Sequence, residues 1–189
     1  MRVKSRRKAR EAALRVLYGI EIGGGTLRDA LQTTMAEAQL DSDLFKYACN
    51  MVETIYQDRR IIDERLAKLV TGYDFDRIAA VDRSLLRIGY YELFYEDGIP
   101  PAVTLNEIID IAKKYSTAES GRFVNGVLGR ALEDSPKANW DRSIEEATAP
   151  IEDAPEPEPD IPVEEIESEE AFKEVAKVGL WKLRNEDES

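Results

Sequence analysis

Residues 78–93 read I-A-A-V-D-R-S-L-L-R-I-G-Y-Y-E-L, and this stretch decides the fold class. Ile78, Val81, Leu85, Ile88, Gly89 and Leu93 recur at intervals of three and four, the spacing of one helix face; a half-buried strand would alternate at two. Asp97-Gly98 and Pro100-Pro101 close the stripe. The same period runs outward in both directions. Upstream, Ala9, Ala13, Val16, Leu17 and Ile20 form a stripe that stops at Gly23-Gly24-Gly25. Leu27, Leu31, Met35 and Ala38 follow Thr26, a residue suited to an N-cap. Phe45, Ala48, Cys49, Val52, Ile55 and Tyr56 follow the capping cluster Asp41-Ser42-Asp43. Ile62, Leu66 and Leu69 or Val70 run on to Gly72. Downstream, Thr104 with Glu107 and Ser116 with Glu119 have the form of capping boxes. Leu105, Ile108, Ile109 and Ala112 follow the first, and Phe123, Val127, Leu128 and Ala131 the second. No segment alternates as a strand. The expected body is all-α, about seven helices with short connections packed as bundles.

The chain has 189 residues, 43% of them hydrophobic, so one domain with a real core is expected, with room for an appendage. Its formal net charge is -12, which taken whole argues against nucleic acid as a partner. The charge is unevenly placed. Residues 141–189 hold 5 Lys+Arg and 17 Asp+Glu, whereas residues 1–140 hold 21 of each. Within that neutral body, residues 1–15 carry seven basic side chains against Glu11 alone, a net of +6. Two domains are therefore expected: 1–140, helical with a basic N-terminal arm, and 141–189, an acidic tail. From about 145 to 170 the tail is rich in Pro and Glu, with too little apolar surface to offset its chain entropy, so it reads as a largely disordered spacer. Phe172, Val175, Ala176, Gly179, Leu180 and Leu183 then allow a short helix near 168–184. No apolar run approaches a membrane span, and a secretory signal is not expected.

One cysteine and no histidine remove the disulfide, Ser-His-Asp, Cys-His and His-metal chemistries. Cys49 lies in an apolar register and reads as core. Asp74 with Asp76, and Asp63 with Glu64, match no metal motif and read as caps or solvated pairs. No catalytic residue, metal or cofactor is expected. The arm is the strongest candidate for chemistry. In Arg6-Arg7-Lys8-Ala9-Arg10 the apolar stripe begins at Ala9, so the basic side chains should project off the buried face. Guanidinium groups bind phosphate in bidentate fashion and stack on bases, and Tyr18 offers a ring two turns on. Asp82, Arg83 and Arg87 read equally as surface ion pairs or as an interaction face. Asn125 and Gly126 are poor helix formers. Gly126 suits a close helix crossing, while Asn125 and Phe123 suit either packing or a ligand.

Four blocks in order carry a resemblance: S-R-R-K-A-R-E-A-A-L-R-V-L-Y at 5–18, D-R-S-L-L-R-I-G-Y-Y-E-L at 82–93, P-A-V-T-L-N-E-I-I-D-I-A-K-K-Y at 101–115 and F-V-N-G-V-L at 123–128. Over about 2–135 the chain resembles the NusB family of transcription antitermination factors. The resemblance implies two small helical subdomains and a cytoplasmic, non-enzymatic RNA-binding protein. It implies binding of the single-stranded boxA element of ribosomal RNA transcripts together with the small-subunit ribosomal protein NusE. NusA, NusG and RNA polymerase would complete the complex, and a homodimer is left open. The implied RNA-binding residues are Lys4, Arg6, Arg7, Lys8, Arg10, Tyr18, Arg87, Arg122, Phe123 and Asn125. The implied partner face holds Arg77, Asp82, Arg83 and Tyr91. Gly121 replaces a bulkier residue and is expected to loosen its helix start. The other readings are a protein-only scaffold of the same fold and a fragment of a ribosomal RNA cytosine methyltransferase.

Overall fold

A computed structural model describes residues 3–72 and 74–140 of the chain. The tail at 141–189, including the expected helix near 168–184, lies outside the described residues. Seven α-helices follow one another: α1 (Val3–Gly23), α2 (Leu27–Glu37), α3 (Ser42–Gln57), α4 (Arg59–Leu69), α5 (Ala80–Phe94), α6 (Pro101–Tyr115) and α7 (Ala118–Glu133). A 3₁₀ turn, Phe75–Arg77, precedes α5, and no strand occurs among the described residues.

Local chemistry sets most of the ends. The α1 helix stops where Gly24 takes φ +65°, a conformation that costs glycine little. Thr26 caps α2 by accepting from Asp29 N at 3.2 Å, and Asp41 caps α3 by accepting from Leu44 N at 2.9 Å. Pro101 opens α6 at a position where its missing N–H has no helical partner to lose. That start corrects one expected capping box: Thr104 lies inside α6, fully buried, and its hydroxyl donates to Glu92 Oε2 at 2.8 Å. The other box shifts by one residue, since Thr117 caps α7 by accepting from Ser120 N at 3.0 Å, and Ser116 ends α6.

The α5 helix is the axis of the molecule. Thirteen of its fifteen residues are buried, so it is covered on all sides rather than on one stripe. The α1, α6 and α7 helices all pack against it. Two helical groups result, α1–α3 and α5–α7, with α4 leaning on α3, α5 and α7, and one continuous apolar core runs through both. The close helix crossing is at Gly89, not Gly126. A Cβ on Gly89 would stand 2.4 Å from Leu128 Cδ1, whereas one on Gly126 would meet nothing. Gly121 is buried in α7, and a Cβ there would come within 3.2 Å of Lys113 Cγ on α6. In α3 the buried stripe is Leu44, Ala48, Met51, Val52 and Ile55, while Phe45 and Tyr56 stay exposed. Cys49 is half-buried against the core.

Candidate nucleic-acid interface

The arm is the first turns of α1, and the structure divides its cations into two kinds. Arg10 has no exposed surface. Its Nε donates to Glu92 Oε1 at 2.6 Å, its second nitrogen to Glu92 Oε2 at 3.1 Å, and Nη1 to Glu107 Oε2 at 3.2 Å. Burial works to lower the Arg10 pKa, but the attraction of Glu92 and its hydrogen bonds outweigh it and the pKa rises. Glu92, also fully buried, receives Thr104 and a short hydrogen bond from the Tyr47 hydroxyl. Arg7 continues the network outward, donating to both Glu107 oxygens at 3.0 and 3.2 Å and to Asp110 Oδ2 at 2.8 Å. These bonds tie α1 to α5 and α6. The expectation that all the basic side chains project off the buried face is therefore corrected for Arg10. Its guanidinium is held between two carboxylates inside the core and has no surface to present.

Arg6, Lys8 and Arg15 are different. Among the described residues none of the three makes an ion pair. The Arg6 guanidinium lies 5.9 Å from the centroid of the Tyr47 ring, and its Nε has no hydrogen-bond partner among the described residues. Lys8 and Arg15 are exposed and line a groove between α1 and α2 with Glu11, Ala12, Glu37 and Ala38. For Lys4 the structure describes the backbone in α1 and not the side chain. Tyr18 is buried, 4% exposed, so its ring is not offered as a platform.

The second charge network lies at the other end of α1. Glu21 accepts from Arg83 Nε at 2.7 Å and from Arg87 Nη1 at 2.6 Å. Arg87 also forks onto Asp63 of α4 at 2.7 and 3.0 Å. Burial alone would raise the Glu21 pKa, but the attraction of Arg87 and the hydrogen bonds from Arg87 and Arg83 hold it below its ordinary value. Arg83 further donates to the carbonyls of Phe75, Asp76 and Ile78, fastening the 3₁₀ turn to α5. Arg87, expected as an RNA contact, is 3% exposed and internally paired. Within the expected partner face, Asp82 and Tyr91 are buried, Arg83 is largely covered and Arg77 is exposed. Burial raises the Asp82 pKa, partly offset by the hydrogen bond from the Ser120 hydroxyl at 2.8 Å. The Tyr91 phenol is pushed up to about 12, chiefly by burial and then by Glu96. The four residues therefore do not form one exposed surface.

On α7, Arg122 and Asn125 are exposed and Phe123 is half-buried against the core. Arg122 shares its charge with Glu119 at 3.3 Å, an exposed pair of little energetic weight. Of the carboxylate pairs, Asp74 caps the 3₁₀ turn and Asp63 serves Arg87. Among the described residues no group of His, Cys, Asp or Glu is placed to hold a metal, and no helix is long and apolar enough to cross a membrane. Sequence reading missed Glu92, Glu107 and Asp110, the carboxylates that occupy Arg7 and Arg10, and Tyr47, whose ring takes Arg6. The signal for Glu92 was present: an acid inside the apolar run Tyr91-Glu92-Leu93.

Among known proteins, the NusB family model matches residues 7–133. A transcription antitermination protein NusB from Desulfitobacterium hafniense is 40% identical over 135 residues, 70% of this chain and 91% of the relative. A solved T. maritima NusB superposes with TM-score 0.66 at 33% identity, over 70% of this chain and 94% of that one. A crystal structure of the antitermination factors NusB and NusE in complex with dsRNA matches with TM-score 0.64 at 30% identity, over 69% of this chain and 98% of that one.

Proposed function

This chain belongs to the NusB family, and from that membership we propose that it is a transcription antitermination factor that binds ribosomal RNA transcripts together with the ribosomal protein NusE. The observation that carries the reading is the solved NusB–NusE–RNA complex, whose fold this chain shares. The exposed cations of α1 support it. Curated relatives matched over nearly their whole length are antitermination proteins, which favours neither the scaffold nor the methyltransferase-fragment reading. The protein acts as an adaptor and not as an enzyme. Its work would lie in the cytoplasm, on a complex with NusA, NusG and RNA polymerase.

The proposed RNA surface draws on the exposed members of the expected set together with the half-buried Phe123, and adds Arg15. Lys8 and Arg15 contact phosphates along the α1 groove and Lys4 extends the arm, while Arg6, half-buried against Tyr47 on the opposite face of α1, lies behind it. Such contacts give salt-dependent affinity and little sequence choice. Arg122, Phe123 and Asn125 of α7 supply polar and ring contacts to the bases of an unpaired boxA strand. Arg7, Arg10, Tyr18 and Arg87 act behind this surface, fixing α1 against α5 and α6. Arg77, the exposed member of the expected partner face, is the residue there that NusE reaches, while Asp82, Arg83 and Tyr91 hold the elements around it. The test is a titration of boxA RNA against the protein alone and with NusE. Tighter binding to boxA than to a scrambled sequence is expected, strengthened by NusE. Equal affinity for both sequences would overturn the specificity.

A further inference from the structure

One carboxylate in the groove between α1 and α2 has no structural task. Lys8, Glu11, Ala12 and Arg15 share one face of α1, because they recur at intervals of three and four. Glu37 and Ala38, where α2 ends, form the facing wall, and the groove between the helices has a volume of about 210 Å³. Glu11 is committed: its side chain is 13% exposed and accepts from the Lys114 ammonium of α6 at 3.1 Å. Glu37 is exposed, and among the described residues it makes no ion pair and no side-chain hydrogen bond. It is also the last residue of α2, where the helix dipole and the free carbonyls disfavour an acid. No basic residue in that turn offsets it. Neither pairing nor capping accounts for an acid at this position.

The groove therefore combines two cations with one uncommitted pair of acceptor oxygens. Lys8 and Arg15 stand about 10 Å apart along α1, one at each end of the shared face. Between them Ala12 is 2% exposed, and Ala38 opposite is half-buried, so small side chains leave room for a flat group. A phosphate by itself suits this groove poorly, because Glu37 repels it. A nucleotide suits both halves, with its phosphates toward Lys8 and Arg15 and its base edge toward Glu37. An ionised carboxylate only accepts hydrogen bonds, so it selects a base by its donors. Guanine carries two neighbouring donors, N1–H and the N2 amino group, which match the two carboxylate oxygens as the fork of a guanidinium does. Adenine and cytosine set an acceptor nitrogen beside their one amino group, and uracil flanks its one N–H with carbonyls, so each turns a lone pair on Glu37. An unpaired strand leaves this edge of its bases open to a protein.

We propose that Glu37 is a specificity-determining residue of the RNA surface, reading the donor edge of an unpaired guanine in the α1–α2 groove while Lys8 and Arg15 hold the flanking phosphates. The inference rests on the RNA-binding reading and adds base choice to a groove whose cations alone give none.

The test uses the full chain, boxA RNA, and two oligouridine strands that differ at one central position, guanosine in one and inosine in the other. Inosine keeps the purine ring, N1–H and O6 of guanine and lacks the N2 amino group. At about 50 mM salt the parent should bind the guanosine strand roughly five- to tenfold more tightly than the inosine strand. Glu37→Gln, which breaks no contact within the fold, should bring that ratio close to one. A Glu37 that acted through charge alone would leave the ratio unchanged, because its replacement would strengthen both strands alike. If the parent binds boxA RNA yet holds the two strands equally, or holds neither, the base reading is overturned and the RNA-binding reading stands. A preference for guanosine that survives Glu37→Gln overturns the assignment to Glu37 in the same way. No binding of boxA RNA, with or without NusE, overturns the RNA-binding reading and the base reading with it.

Discussion

Arg10 and Lys8 lie two residues apart in one basic run and have opposite fates. Arg10 is locked between Glu92 and Glu107, while Lys8 is exposed. Removing one member of a buried ion pair strands the other, at a cost of about 3–5 kcal/mol. Arg10→Ala should therefore lower unfolding free energy by that amount in a urea titration, and Glu92→Gln should also destabilise. Lys8→Ala should leave stability within about 0.5 kcal/mol. It should weaken RNA binding for any sequence and reduce the salt slope by about 1. A Lys8→Ala protein with parental affinity and slope would remove Lys8 from the surface. The basic run itself was legible in the sequence. Which member faces inward was not, because the Arg10 partner lies 82 residues away.

At the scale of the helix, two glycines reverse the roles that propensity suggests. Both sit in helix interiors, where glycine costs about 1 kcal/mol relative to alanine. Gly126 faces open space, so Gly126→Ala should stabilise the protein by up to about 1 kcal/mol, read as a raised unfolding midpoint. Gly89 faces the buried Leu128 at a distance no side chain tolerates. Gly89→Val should cost about 2 kcal/mol or more by forcing α5 and α7 apart. The stop of α1 at the glycine run and the caps of α2 and α3 were readable because each depends on neighbours within four residues. The expected cap at Thr104 failed because Pro101 starts α6 earlier and Glu92 of α5 takes the Thr104 hydroxyl.

Across the whole molecule, charge links the elements. Glu21 ties the end of α1 to α5 through Arg83 and Arg87, and Arg87 ties α5 to α4 through Asp63. The folded-state pKa of Glu21 lies below its ordinary 4.5. Its stabilisation is therefore fully present above about pH 4.5 and is lost as pH falls through the folded-state value. Asp82 works in the opposite sense: burial raises its pKa above the ordinary 3.8, so its ionisation costs stability as pH rises. Unfolding free energy measured from about pH 5 down to pH 3 should decline, and Glu21→Gln should flatten that decline. An unchanged slope in Glu21→Gln would assign the acid sensitivity elsewhere. The sequence alone determined the helical class, the positions of most helices, the neutral body and the segregation of acid to the end of the chain. Helix periodicity, caps and net charge depend on neighbours in sequence or on simple sums. Only the tertiary structure decided which cations are spent inside and which remain for a partner. Each answer depends on a carboxylate brought close from another helix, and nothing local to an arginine records whether one will arrive.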